Sequence, residues 1–235
     1  ATDFKTVAMT TGVAAAHVLV LVLSRDLGNA LIFFLTYLFM LFVATGKWLY
    51  LGYGLAAGCA ASVAAYRLFP HVQRRVAAWR DPWSDVADTG YQIAQSLFAI
   101  GTGGWLGMGL GRGLPEKIPV VEEDFMISAV AEELGGLFAI CLILICLGCF
   151  LQFMMIAVRM QAMFYKLIAF GLGCEYIVQV LLTVGGAVKF IPLTGVTLPL
   201  VSYGGRSVAG TFILFSVIQG LYILKRNEEE EDEEK

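Results

Sequence analysis

Six long apolar runs set the rhythm of the chain: approximately Val7 to Leu23, Ala30 to Thr45, Trp48 to Tyr66, Leu134 to Val158, Tyr165 to Ala187 and Ser207 to Leu224. A bilayer core about 30 Å thick takes roughly 20 mostly apolar residues per helix, so these runs have the length of membrane spans. They predict an all-α fold, a polytopic transmembrane helical bundle of about six spans. One segment breaks the rhythm. Phe69 to Phe125, between the third and fourth runs, is too long for a plain connection, and chemistry is expected there. Near its start Val72, Val76 and Trp79 fall on one helical face while Arg74, Arg75 and Arg80 lie elsewhere, which suits a short interfacial helix over His71 to Arg80. Seven glycines follow, Gly101, Gly103, Gly104, Gly107, Gly109, Gly111 and Gly113, set among apolar residues. They predict tight turns in a partly re-entrant segment buried in protein, since irregular backbone cannot face lipid.

Composition agrees with the pattern. The 235 residues are 58% hydrophobic and 15% charged, with mean hydropathy +0.76, which excludes a soluble domain of ordinary composition. The formal charge of −3 comes from the end of the chain: setting aside the seven acids and one base of residues 227–235 brings it to +3. Residues 1–226 are expected to form the transmembrane domain, and 227–235 a disordered acidic cytoplasmic tail. Cys59, Cys141, Cys146, Cys149 and Cys174 all fall within apolar runs and are expected to pack as small hydrophobes, without disulfides. His17 and His71 are isolated and expected to be structural. The chain opens at Ala1 with no recognisable signal peptide and is expected to be a piece of a longer protein.

Charge also bears on orientation. With Lys225 and Arg226 in the cytoplasm, six spans return the N-terminus to the same side. Seven Lys and Arg then lie inside and nine outside, against the positive-inside tendency. The outer basic residues are therefore expected to have a task that outweighs topology.

Five motifs run in order along the chain: Ser24-Arg25-Asp26-Leu27-Gly28-Asn29-Ala30; Gly90-Tyr91-Gln92-Ile93-Ala94-Gln95-Ser96 with Ala99-Ile100-Gly101-Thr102-Gly103-Gly104; Glu123-Asp124-Phe125 with Glu132-Glu133-Leu134-Gly135; Pro192-Leu193-Thr194-Gly195 with Leu198-Pro199; and Val201-Ser202-Tyr203-Gly204-Gly205. Together they resemble the SEDS family of peptidoglycan glycosyltransferases (RodA/FtsW/SpoVE). The resemblance implies a fold of about ten spans, of which roughly four N-terminal ones precede this chain. It further implies a multi-pass protein of the bacterial cytoplasmic membrane, with the 69–125 loop outside. The implied reaction polymerises lipid II into undecaprenyl-linked glycan beside a class B penicillin-binding protein, with no nucleic-acid partner. The sequence departs from the family pattern at Glu123, where Thr is usual, at Arg206, where Ser is usual, and at Ser24-Arg25.

Glycan extension needs a base for the attacking hydroxyl and cations for the departing diphosphate. Asp124 matches the family's essential Asp and is the candidate catalytic base; a simple helix-capping role is the alternative. The run Glu122-Glu123-Asp124 repels itself unless a cation is near, so Asp124 and Glu123 are candidate ligands for Mg²⁺ or Mn²⁺. Lys117 and Arg112 are candidate phosphate holders. Glu132 and Glu133 are expected at the entrance of the fourth span, favoured there by the helix dipole or orienting a basic partner. Ser202, Tyr203 and Arg206 complete the substrate-binding candidates. Glu175, in an apolar run, calls for a partner such as Arg206 or Lys189. Two other readings stay open: a transporter of a lipid-linked precursor, and a non-catalytic scaffold for a penicillin-binding protein.

Overall fold

A computed structural model of the chain describes residues 4–233. Among these residues every regular element is a helix, with no strand. In order come α1 (Phe4–Leu23), α2 (Leu27–Thr45), α3 (Trp48–Leu68), α4 (Pro70–Arg80), α5 (Tyr91–Gly103), a 3₁₀ turn (Pro115–Lys117), α6 (Met126–Leu134), α7 (Gly136–Arg159), α8 (Met163–Ala187) and α9 (Gly205–Glu233). Six of these, α1, α2, α3, α7, α8 and α9, are long and apolar enough to cross a membrane. They coincide with the six apolar runs. Two compact units emerge from the backbone: one from Ala1–Leu55, Leu147–Val178 and Val208–Lys235, the other from Ala56–Cys146 and Gln179–Ser207.

In the first unit, Asp26 caps α2 by accepting a hydrogen bond from the Asn29 amide at 3.2 Å, and left-handed Gly46 closes the helix. The Asp26 motif is thus a helix-start device. Tyr37 meets Thr11 at 2.7 Å, and His17 stacks on Phe33, so α1 and α2 pair along one face. Phe153, Tyr176 and Phe215 form a triangle of edge-on rings from α7, α8 and α9. Glu175 is exposed on α8. The ion pairs among the described residues, Arg159–Glu229, Lys225–Glu229 and Arg226–Glu230, do not involve it. Two of these are i,i+4 pairs that extend α9 into the acidic run. The expected disordered tail is therefore helical through Glu233, while residues 234–235 lie outside the described residues. None of the five cysteines forms a disulfide.

In the second unit a short helical pair, α5 and α6, packs against the end of α8. Ser96 and Ser128 are fully buried, 2.7 Å apart, and Ser96 donates to the Ala187 carbonyl at 2.8 Å. The helices approach closely because Gly103 lies against the backbone of Ala131 and Glu132, where any β-carbon would collide. Gly90 lies as tightly against the Pro82 carbonyl. The Gly90-to-Gly104 motif is therefore largely packing. Gly135, at φ +92, breaks the chain between α6 and α7. This corrects the expected start of the fourth span: Glu132 and Glu133 end α6 and do not open a helix.

Candidate active site

Everything in the candidate site comes from the second unit: α4, the turn before α6 and the loop after α8. Helix α4 starts where α3 stops. Phe69 is extended, and Pro70 takes the first helical position, where its missing N–H costs nothing. One face of α4 docks on the loop after α8, where Trp79 Nε1 donates to the Lys189 carbonyl at 3.2 Å and Arg75 Nη1 to the Thr194 carbonyl at 3.0 Å. Residues four apart share a helix face, which is why one helix makes both bonds.

The loop itself is strapped to α8. Thr183 Oγ1 donates to the Val196 carbonyl at 2.8 Å, and Gln179 Nε2 to the Thr197 carbonyl at 2.9 Å. Ser202 is buried, and its hydroxyl accepts the Leu198 amide at 2.9 Å, so it shapes the loop from inside. Tyr203 exposes its ring and donates its backbone N–H to the Glu122 carbonyl at 2.7 Å. That bond joins the loop to the acidic run.

The acidic run is pinned at both ends by buried side chains, Ile118 before it and Phe125 after it. Val120 turns the chain at φ +56, an uncommon conformation for a β-branched residue, and its carbonyl accepts the amides of Glu123 and Asp124. Glu122 and Glu123 face outward, whereas Asp124 is half-buried. Phe125, the residue before α6, makes no side-chain cap, and Asp124 is not the capping residue.

Gly195 marks where these pieces meet. A β-carbon on it would stand 3.3 Å from Arg75 Nη2 and 3.7 Å from Asp124 Oδ2. Its bare α-carbon, at φ +76, lets guanidinium and carboxylate share one face. Burial pushes the Asp124 carboxyl up from its ordinary 3.8 to about 6; the Glu123 charge pushes the same way, and Arg75 pulls it back. A carboxyl in that range is mostly ionised at neutral pH yet more basic than a solvated one.

Other candidates lie elsewhere. Glu133 Oε1 accepts the Gly111 amide at 3.1 Å, Glu132 Oε1 accepts the Leu114 amide at 3.3 Å, and their carbonyls take the amides of Met108 and Gly109. A helix C-terminus disfavours negative charge, so binding the glycine loop accounts for these acids where the dipole does not. The loop's backbone is held, while Trp105, Leu106 and Leu110 are exposed. Lys117 ends the 3₁₀ turn and Arg112 folds over Gly109, both exposed; Arg206 is exposed in the first turn of α9. Arg75 was assigned to the lipid interface from its sequence; the structure adds it to the site.

No group of three or more His, Cys, Asp or Glu side chains that could hold a metal occurs among the described residues. Asp124 and Glu123 are adjacent in the chain, and Mg²⁺ in general can take only one or two carboxylates while substrate phosphates supply further oxygens.

The family described as cell cycle protein, named for FtsW, RodA and SpoVE, matches residues 2–227. The chain is 38% identical over 199 residues to the peptidoglycan glycosyltransferase RodA of Mycobacterium tuberculosis, covering 85% of this chain and 42% of that protein. It is 36% identical over 211 residues to the probable peptidoglycan glycosyltransferase FtsW of Aliivibrio salmonicida, covering 86% and 51% respectively. It thus spans about half the length of such relatives. Among solved structures, a chain from a peptidoglycan synthase complex that coordinates polymerization and crosslinking superimposes with a TM-score of 0.75 at 26% identity, over 94% of this chain and 61% of that one. The chain belongs to the FtsW/RodA/SpoVE family of cell cycle proteins.

Proposed function

We propose that this chain carries the catalytic portion of a peptidoglycan glycosyltransferase that polymerises lipid II and releases undecaprenyl diphosphate. The observation that carries the proposal is Asp124, half-buried, shifted to about 6 and set beside Arg75, in a chain whose relatives are named peptidoglycan glycosyltransferases. In the reaction Asp124 takes the proton of the acceptor hydroxyl. That oxygen bonds to the anomeric carbon of the donor, and the bond to the diphosphate oxygen breaks with its electron pair. General-base catalysis of this kind contributes roughly 10²–10⁴-fold. Mg²⁺ or Mn²⁺, held by Asp124 and Glu123 together with the substrate, would neutralise charge on the diphosphate. The site faces the outer side of the bacterial cytoplasmic membrane, and a class B penicillin-binding protein is the partner. The solved relative from a complex joining polymerization to crosslinking supports that pairing.

The test is lipid II polymerisation by the full-length protein with its partner, comparing wild type with Asp124→Asn, with either metal or a chelator. Glycan strands from wild type alone support the enzyme and its base. Strands from both remove Asp124 from catalysis. Precursor translocation in vesicles without polymer points to transport, and neither activity from a well-folded protein points to a scaffold.

A further inference from the structure

We propose that Arg75 is the phosphate-binding residue of this site and takes the diphosphate of the lipid-linked donor beside Asp124. The inference rests on the glycosyltransferase reading and names the residue that meets the leaving group. Three observations carry it.

The guanidinium is pre-positioned. Nη1 is tied to the Thr194 carbonyl at 3.0 Å, and Trp79, one turn further along α4, is tied to the Lys189 carbonyl at 3.2 Å. A planar fork with one edge fixed presents its remaining N–H donors in a set direction, which suits a phosphate. Thr194 Oγ1, on the residue that holds it, is shielded from solvent and has no hydrogen-bond partner among the described residues. Among the described residues, Arg112 and Lys117 show no comparable tether of their charged ends.

The depth is right for a lipid headgroup. Helix α4 begins at Pro70, immediately beyond the membrane-spanning α3, which ends at Leu68. Its short amphipathic pattern suits the membrane interface, where the diphosphate of a lipid-linked sugar lies. Arg75 is exposed on this helix.

The distance suits the reaction. In a displacement at an anomeric carbon, base and leaving oxygen sit on opposite sides of the reacting carbon, so the phosphate's cation belongs near the base without being paired tightly to it. A β-carbon at the Gly195 position would stand 3.3 Å from Arg75 Nη2 and 3.7 Å from Asp124 Oδ2, and Arg75 and Asp124 are not among the ion pairs of the described residues. As the glycosyl bond breaks, its electron pair goes to the diphosphate oxygen, and the N–H donors of Arg75 stabilise the added charge.

The experiment uses the full-length protein with its penicillin-binding partner at one fixed metal concentration. Polymerisation is measured against lipid II concentration for wild type, Arg75→Lys, Arg75→Gln and Asp124→Asn, with lipid II binding measured directly and inorganic pyrophosphate as competitor. Arg75→Gln is expected to weaken lipid II binding and raise KM roughly 10- to 100-fold, with Arg75→Lys between it and wild type. Pyrophosphate should compete less well against the Gln variant, while Asp124→Asn should fail to turn over bound lipid II. Wild-type binding, KM and pyrophosphate competition in Arg75→Gln would overturn the proposal. If the Gln variant does not fold, unchanged values in Arg75→Lys, which keeps the charge and loses the fork, overturn it equally. Normal polymerisation by Asp124→Asn would sink the base assignment and leave the binding result for Arg75 to be judged by itself.

Discussion

Ser96 receives the hydroxyl hydrogen of Ser128 and gives its own to the Ala187 carbonyl, so two small side chains fasten α5 to both α6 and α8. The direction follows from the chemistry: each hydroxyl has one hydrogen, and the Ala187 carbonyl can only accept. Both serines are fully buried. Replacing Ser96 by Ala leaves a hydroxyl and a carbonyl unpaired away from water, which costs about 1–3 kcal/mol. Thermal unfolding in detergent should show a lower Tm for Ser96→Ala.

Gly103→Ala should be more damaging than its size suggests. The added methyl meets the Ala131 carbonyl, which is backbone and cannot rotate away. Overpacking of this kind costs roughly 1–3 kcal/mol, and here it also pushes α6 from α5. Reduced Tm together with faster hydrogen exchange over residues 126–134 would verify it. The neighbouring Gly101→Ala, with open space at its β position, serves as the control.

Polymerisation should fall as pH drops through about 6, where Asp124 takes up its proton. Arg75 pulls that value down, so Arg75→Gln should move the acid limb of the rate profile to higher pH. Stability runs the other way. The folded state holds the proton more tightly than the unfolded chain, so this group's contribution is present below about pH 3.8 and lost as pH rises to about 6. Asp124→Asn should therefore unfold at a higher temperature than wild type at pH 7, with the gap closing at pH 4.

Glu133→Ala should loosen the glycine loop without touching the base. It removes the acceptor of the Gly111 amide. Amide exchange at Gly111 is expected to speed up roughly tenfold, the scale of one hydrogen bond to a charged group. Unchanged exchange would show that Glu133 does not hold the loop.

The sequence disclosed what depends on composition over long windows or on neighbours in the chain. The six spans were legible from apolar length and α4 from the spacing of Val72, Val76 and Trp79. Arg75 was not, because its role depends on Thr194 and Gly195, far along the chain, and a helical wheel of α4 alone puts it off the apolar face. Glu132 and Glu133 were placed at the wrong end of a helix, since only backbone geometry reveals the break at Gly135. The Ser202 hydroxyl turned inward to Leu198, a choice between loop and substrate that residue type leaves undecided. The acidic tail was expected to be disordered from its charge, yet i,i+4 pairs to Lys225 and Arg226 carry α9 into it.

The bond from the Tyr203 amide to the Glu122 carbonyl is made by main chain on both sides. Nearly every substitution preserves it, so an alanine scan would pass over both positions and report nothing. Proline is the exception, having no N–H to give. The joint beside Asp124 is thus hidden from side-chain genetics, and Tyr203→Pro is the single replacement that exposes it.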